Sequence, residues 1–298
     1  MSALALSAAQ ERRAEWLKLR GRILGHRGLM AGLIVFTLIV FAALFAPLIS
    51  PHDPYAQDLT KRLVPPLWFE AGTWQHPLGT DNLGRDYLSR LFYGARISLL
   101  IGGSVMLVSG LIGTSLGLLA GYFGGRIDMA IMFIVTARLA LPVVLVALAV
   151  VAVVGSSLGI VILVLGLLKW DRFAVVMRAA TQQVRGLDYI AAARSVGSTT
   201  PRIILRDVLP NVMPQLIVVA TVEAASAILL EAALSFLGLG VQPPLPSWGL
   251  MIAEAKSYMF FSFWLIAIPG SALAILVLSI NLLGDGLRDV LAPDWEHS

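Results

Sequence analysis

The sequence predicts an all-α bundle of six membrane-spanning helices, and three observations carry that prediction. Of 298 residues, 58% are apolar and only 13% are charged, against roughly 45–50% and about 25% in soluble domains. Mean hydropathy is +0.83. The apolar residues also fall into separate runs, each near the ~20 residues that one bilayer crossing needs.

Taken in order, the first run is Leu29 to Ile49, closed by Pro47 and Pro51. It is longer than the apolar part of a cleaved leader and reads as a retained span. The second runs from Ile97 to about Tyr122, and the third from Met129 to Val154 with Pro142 near its middle. A fourth starts near Leu158 and turns polar after Trp170; the fifth covers Val212 to about Leu237 and the sixth Phe263 to Leu283. The expected divisions are therefore 1–50 (tail and first span), 51–96 (outer loop), 97–290 (a five-helix core with a loop at about 171–210) and 291–298 (tail).

Charge gives the direction. With six crossings, fourteen Lys and Arg residues share one face, among them Arg12, Arg13, Lys18, Arg20, Arg126, Arg178, Arg206 and Arg288, against six on the other. Basic loops stay in the cytoplasm, so both termini are expected there. This also accounts for the net charge of +4 without nucleic acid.

Several chemistries are excluded. With no cysteine there is no disulfide and no thiol catalysis. The four lysines lack a preceding G-x-x-x-x-G, so no phosphate-cradling loop exists. His26, His52, His76 and His297 are scattered without zincin spacing, so no metal site and no catalytic residue is read. Acidic residues are scarce within the spans, which disfavours a proton relay. The chain reads as a transporter that takes its energy from a partner.

The informative stretch is Asp188-Tyr189-Ile-Ala191-Ala192-Ala193-Arg194-Ser-Val-Gly197-Ser-Thr-Thr-Pro201, continuing to Leu209-Pro210-Asn211. Asp188 to Val196 can form a short helix stopped by Gly197, and Pro201 suits the first turn of a second. Ile203, Ile204, Val208 and Leu209 would share one face. A helix–Gly–helix elbow results, which on its own reads equally well as a plain connector.

The A-A-A-x-x-x-G pattern followed by V-L-P resembles the "EAA" loop of ABC importer permeases. More narrowly, the chain resembles the second, C-type permease of dipeptide, oligopeptide and nickel importers. Four further blocks match in order: His76-Pro-Leu-Gly-Thr-Asp-Asn-Leu-Gly-Arg-Asp-Tyr-Leu-Ser-Arg90, Tyr93-Gly-Ala-Arg-Ile-Ser-Leu99, Glu231 to Pro244, and Asn281-Leu-Leu-Gly-Asp-Gly-Leu-Arg-Asp289. The resemblance implies a type I importer fold, a heterodimer with a sister permease, two cytoplasmic ATPases that bind ATP and Mg²⁺, an extracytoplasmic solute-binding protein, and the inner membrane as location. It makes the elbow (Asp188, Tyr189, Ala191, Ala192, Ala193, Arg194, Gly197, Pro201, Pro210) the ATPase-coupling loop. The family's usual Glu is Ala191 here, so docking would use Arg194 or Asp188, and Lys169–Phe173 lacks the usual Pro-Gly.

Arg138 and Glu223 stand where the family has apolar or small residues. Each lies roughly 15–18 Å into its span at 1.5 Å per residue, where a lone charge costs several kcal/mol. They are expected to form a pair or to line the path; for Arg138, snorkelling or contact with carbonyls is the alternative. Glu231 reads as packing at the outer gate, Trp68, Trp74 and Trp248 as interfacial anchors, and Gly102, Gly103, Gly110, Gly113 and Gly117 as helix-packing positions. The function expected is that of a non-enzymatic permease subunit for peptides or related solutes. A self-sufficient secondary transporter and a structural subunit are the competing readings.

Overall fold

The computed structural model describes residues 21–291, whose regular elements are helices with no β-strand. The expectations for the tails at 1–20 and 292–298 lie outside the described residues. Among the described residues, ten helices of eight residues or more organise the bundle: α1 (Arg27–Leu44), α2 (Tyr87–Phe123), α3 (Gly125–Leu139), α4 (Val143–Val154), α5 (Leu158–Leu168), α6 (Asp171–Arg185), α7 (Asp188–Ser195), α8 (Leu209–Phe236), α9 (Trp248–Ala255) and α10 (Trp264–Leu291).

Among the described residues, four helices are individually long and apolar enough to cross a membrane: α1, α2, α8 with its lead-in from Thr200, and α10. The expected third span is two helices, α3 and α4, bent by 81°. The cause is local. Pro142 has no N–H to donate and its ring excludes the preceding turn, so the chain breaks over Ala140–Pro142 before α4 restarts. The expected fourth span is broken too. α5 has 11 residues, about 17 Å of rise, short of the roughly 30 Å hydrocarbon layer. It reaches full length only by continuing past Lys169–Trp170 into α6. Among the described residues the expected six crossings thus resolve into four unbroken rods and one bent pair, with α5 too short to cross alone and α6 polar.

The second span also starts earlier than expected, at Tyr87 instead of Ile97, so the loop before it ends at Asp86. Asp86 caps the helix by accepting from the Ser89 N–H at 2.8 Å, which satisfies one of the free donors of the first turn. Arg85 and Arg90 are accordingly not loop cations in solvent. Both are buried and bound to Asp81 and Glu254, with Arg85 Nε 2.6 Å from Asp81 and Arg90 Nη2 2.8 Å from Glu254. That network ties the head of α2 to α9.

The glycines of α2 form a notch. A Cβ on Gly113, Gly117 or Gly121 would come within 2.7 Å of Phe173, Ala174, Met177 or Thr181 on α6, so α6 packs closer there than any larger residue permits. Gly102 meets Ile228 the same way, Gly110 makes an ordinary contact with Phe173, and Gly103 faces open space. Trp68 and Trp74 are exposed, as expected of interfacial residues. Trp248 is not: it is buried against Gly94, and its indole N–H donates to the Leu91 carbonyl at 2.9 Å. Its position at the start of α9, facing α2, makes it a core residue.

Candidate functional site

The break after α3 lies beside the junction of α5 and α6, and charged side chains collect there. Arg138 is in the last turn of α3 and Asp171 in the first turn of α6. A cation at a helix C-terminus and an anion at an N-terminus each suit the local helix dipole. They also meet: Arg138 Nη1 lies 3.3 Å from Asp171 Oδ2. Glu223, on the unbroken α8, is buried at 1% exposure and takes Lys169 Nζ at 2.7 Å and Arg172 Nη1 at 3.3 Å. Lys169 also donates to the Ser226 hydroxyl at 2.8 Å.

Arg138 and Glu223 are therefore not each other's partners. The expected direct pair is replaced by two neighbouring sets, Arg138–Asp171 and Lys169–Glu223–Arg172, joined through the consecutive residues Asp171 and Arg172. The physical reason for pairing still holds, since removing one member of a buried pair strands the other. Sequence reading missed Lys169, Asp171 and Arg172 as partners. An apolar run that ends on Lys-Trp-Asp-Arg, with an acidic residue placed to start a new helix, was the available signal.

This cluster borders a cavity of about 720 Å³. Val175, Val218 and Val222 supply much of its wall; Asp171, Arg172, Glu223 and, nearer the end of α10, Arg288 supply charge. The Arg172 side chain is 63% exposed. With Arg138, Lys169 and Arg172 against Asp171 and Glu223, the cluster holds one more cation than anion.

Glu231, by contrast, is structural. It is fully buried and accepts from the hydroxyls of Ser235 at 2.7 Å and Ser247 at 3.0 Å, with no cation among its partners. Ser247 in turn caps α9 by accepting from Leu250 N–H.

At the far end of α2 the chain forms the elbow. α7 covers Asp188–Ser195, and Gly197 follows with φ +82°, a left-handed conformation that costs other residues roughly 1–2 kcal/mol. The Gly197 N–H donates to Arg194 O at 3.0 Å and Ser198 N–H to Ala193 O at 3.1 Å, closing the helix in a Schellman arrangement. Pro201 sits in the next first turn, Ile203–Val208 form a π-helical turn, and α8 continues from there through Pro210.

One face of this elbow is anchored. Ile190, Ile203, Val208 and Val212 are buried with Leu118, Tyr122 and Met177, and Ile204 and Leu209 pack against them. The other face is open: Ala191, Ala192, Val196 and Leu205 are exposed. Arg194 stacks over the Tyr122 ring at 5.0 Å. Asp188 is exposed in the first turn of α7, and Tyr189 OH reaches the Asp207 carbonyl only at 3.5 Å. Partial burial and the nearby Asp207 raise the Tyr189 phenol above its ordinary value.

Comparison with known proteins settles the family. Residues 113–297 match the family described as "Binding-protein-dependent transport system inner membrane component". The chain belongs to this family. It is a multi-pass permease subunit of the inner membrane. Residues 16–66 match the N-terminal membrane domain of oligopeptide transport permease C. The chain is 46% identical to the di/tripeptide transport system permease DppC of Pseudomonas aeruginosa, over 92% of its own length and 90% of that protein's. It is 43% identical to the dipeptide transport system permease DppC of Escherichia coli K12, over 90% and 89% of the two lengths. In structure it is similar to the MetNI methionine ABC transporter in an inward-facing form, with a TM-score of 0.55 and 20% identity, covering 67% of this chain and 96% of that one. That likeness speaks for a shared fold.

Proposed function

We propose that this chain forms half of the translocation path of an ATP-driven importer of short peptides. The observation that carries the substrate class is the 46% identity to a di/tripeptide permease along nine-tenths of both chains. The sister permease forms the other half of the path, a solute-binding protein delivers the peptide, and two cytoplasmic ATPases hold ATP and Mg²⁺. Both termini and the elbow face the cytoplasm, and segment 51–86 faces outward.

The elbow docks on an ATPase. In favour of this are its small exposed face, its buried far side and its stiff glycine-terminated lever. Ala191 and Ala192 permit close approach, and Arg194 and Asp188 offer charge where the family's usual carboxylate is missing. The cavity beside Arg172 and Glu223 lies on the path, and the surplus cation suits a peptide carboxylate passing along an otherwise apolar wall.

Uptake of labelled di- and tripeptides by cells that lack the gene and regain it tests the reading. Restored uptake that requires ATPase partners is expected. Unchanged uptake without the gene, or transport by the chain alone in proteoliposomes under an ion gradient, would overturn it.

A further inference from the structure

His52, His76 and Asp86 are separated by 24 and 10 residues, yet the fold brings them together at the end of α2 remote from the elbow. Each offers one ligand atom, and these atoms lie within 4.8 Å of one another. We infer that they form a transition-metal site of the kind that takes Zn²⁺, clamping the segment after α1, the 51–86 loop and the head of α2.

The geometry is built up from Asp86. Its side chain is 1% exposed, and its Oδ2 is occupied by the Ser89 N–H at 2.8 Å and the Ser89 hydroxyl at 2.7 Å. Oδ1 is left to face two imidazoles. His76 Nδ1 stands 2.9 Å from it and His52 Nδ1 3.6 Å. Ligands on a tetrahedral Zn²⁺ with bonds of about 2.0–2.1 Å lie roughly 3.3 Å apart, between the two separations seen here. The rings are already close, with centroids 4.7 Å apart.

Two further features point to a ligand. His52 Nδ1 is a buried nitrogen with no hydrogen-bond partner, which is costly unless something fills the gap. The supports are also in place: the His52 N–H donates to Ser89 Oγ at 3.2 Å, and Asp86 is held by its capping role. Orienting ligands by such outer contacts is how metal sites gain affinity. Two imidazoles and one carboxylate suit Zn²⁺, whereas Mg²⁺ and Ca²⁺ call for oxygen ligands. His52 is 33% exposed at the side chain and His76 8%, so entry and a fourth, solvent ligand lie on the His52 side.

The test uses the full chain purified in detergent, stripped with chelator and titrated with Zn²⁺ against a fluorescent competitor. One saturable Zn²⁺ per chain is expected, with a rise in melting temperature and, for Co²⁺, a tetrahedral absorption spectrum. His52→Gln should weaken binding at least roughly tenfold, since even outer-shell losses cost that much. His26→Gln, which alters a histidine paired with Asp289 at another end of the chain, should leave affinity unchanged. Absence of one-to-one uptake, or equal affinity in His52→Gln and the parent, would mean a metal-free His–Asp–His cluster and overturn the inference. If His52→Gln fails to fold, the Co²⁺ spectrum of the parent decides, and a solvent-like octahedral spectrum refutes the site.

Discussion

The two ends of α2 are held in opposite ways. At its head, the buried Asp81, Arg85 and Arg90 interlock with the partly buried Glu254, and the loop 51–86 lies beside them with its own hydrogen bonds. At its tail, the elbow is anchored mainly through apolar residues, with Arg194 stacked over the Tyr122 ring, and one of its faces is exposed. The Asp81–Arg85–Arg90–Glu254 network pairs its charges internally, while the elbow keeps an exposed face. Variants at the head should therefore damage folding, and variants at the tail should damage what the fold transmits.

The largest effect is expected for Arg90→Met. It leaves Asp81 and Glu254 with one guanidinium in place of two in a buried site, at a cost on the order of 3–5 kcal/mol. Thermal unfolding in detergent should show a marked drop and low folded yield. An unchanged melting temperature would remove the contrast between the two ends.

Arg138→Leu comes next. Arg138 is 17% exposed, so the loss should be smaller, about 1–2 kcal/mol after solvent screening. Asp171→Leu in the same chain should recover much of it, whereas Glu223→Gln should not. Recovery by the Glu223 change would restore the direct pair that the structure rejects.

Gly197→Val follows, with roughly 1–2 kcal/mol of local strain at the positive φ. Folded yield should stay near that of the parent, while peptide-stimulated ATP hydrolysis by the assembled transporter falls away from transport. Coupled rates equal to the parent's would show that the glycine turn plays no part in transmission.

Val196→Asp should have the smallest effect on stability, because Val196 is 82% exposed and surface changes usually stay within about 0.5 kcal/mol. It should nevertheless reduce co-purification of the ATPase subunits. Full retention of them would place the docking face elsewhere on the elbow.

The helical class and the elbow were legible because they rest on local chemistry. Apolar runs mark spans, Gly197 stops α7, and Pro142 marks a break. The degree of that break was not legible, since proline announces a kink without fixing an 81° turn. The start of α2 was hidden because Arg90 looks like a loop cation until Asp81 and Glu254 are seen around it. Trp248 misled for a related reason: an aromatic next to a Pro-rich stretch suits an interface, and only its packing on Gly94 shows otherwise. Charge partners such as Lys169 with Glu223 are 54 residues apart, and the His52–His76–Asp86 grouping depends wholly on the loop's path. Hydropathy shows that an intramembrane charge needs a partner but says nothing of which one.

The wide turn at Ile203–Val208 has a consequence for phase. A π turn accommodates one residue more than the α turn it replaces, and one residue of α-helix is about 100° of rotation. The rod that begins at the elbow is the same rod that carries Glu223, some twenty residues further on. The extra residue thus sets the azimuth of that carboxylate toward Lys169 and Arg172. Were the turn to tighten into regular α-helix while the elbow stayed fixed, Glu223 would swing off its two cations by about that angle. The elbow and the charged cluster are two readings of a single screw.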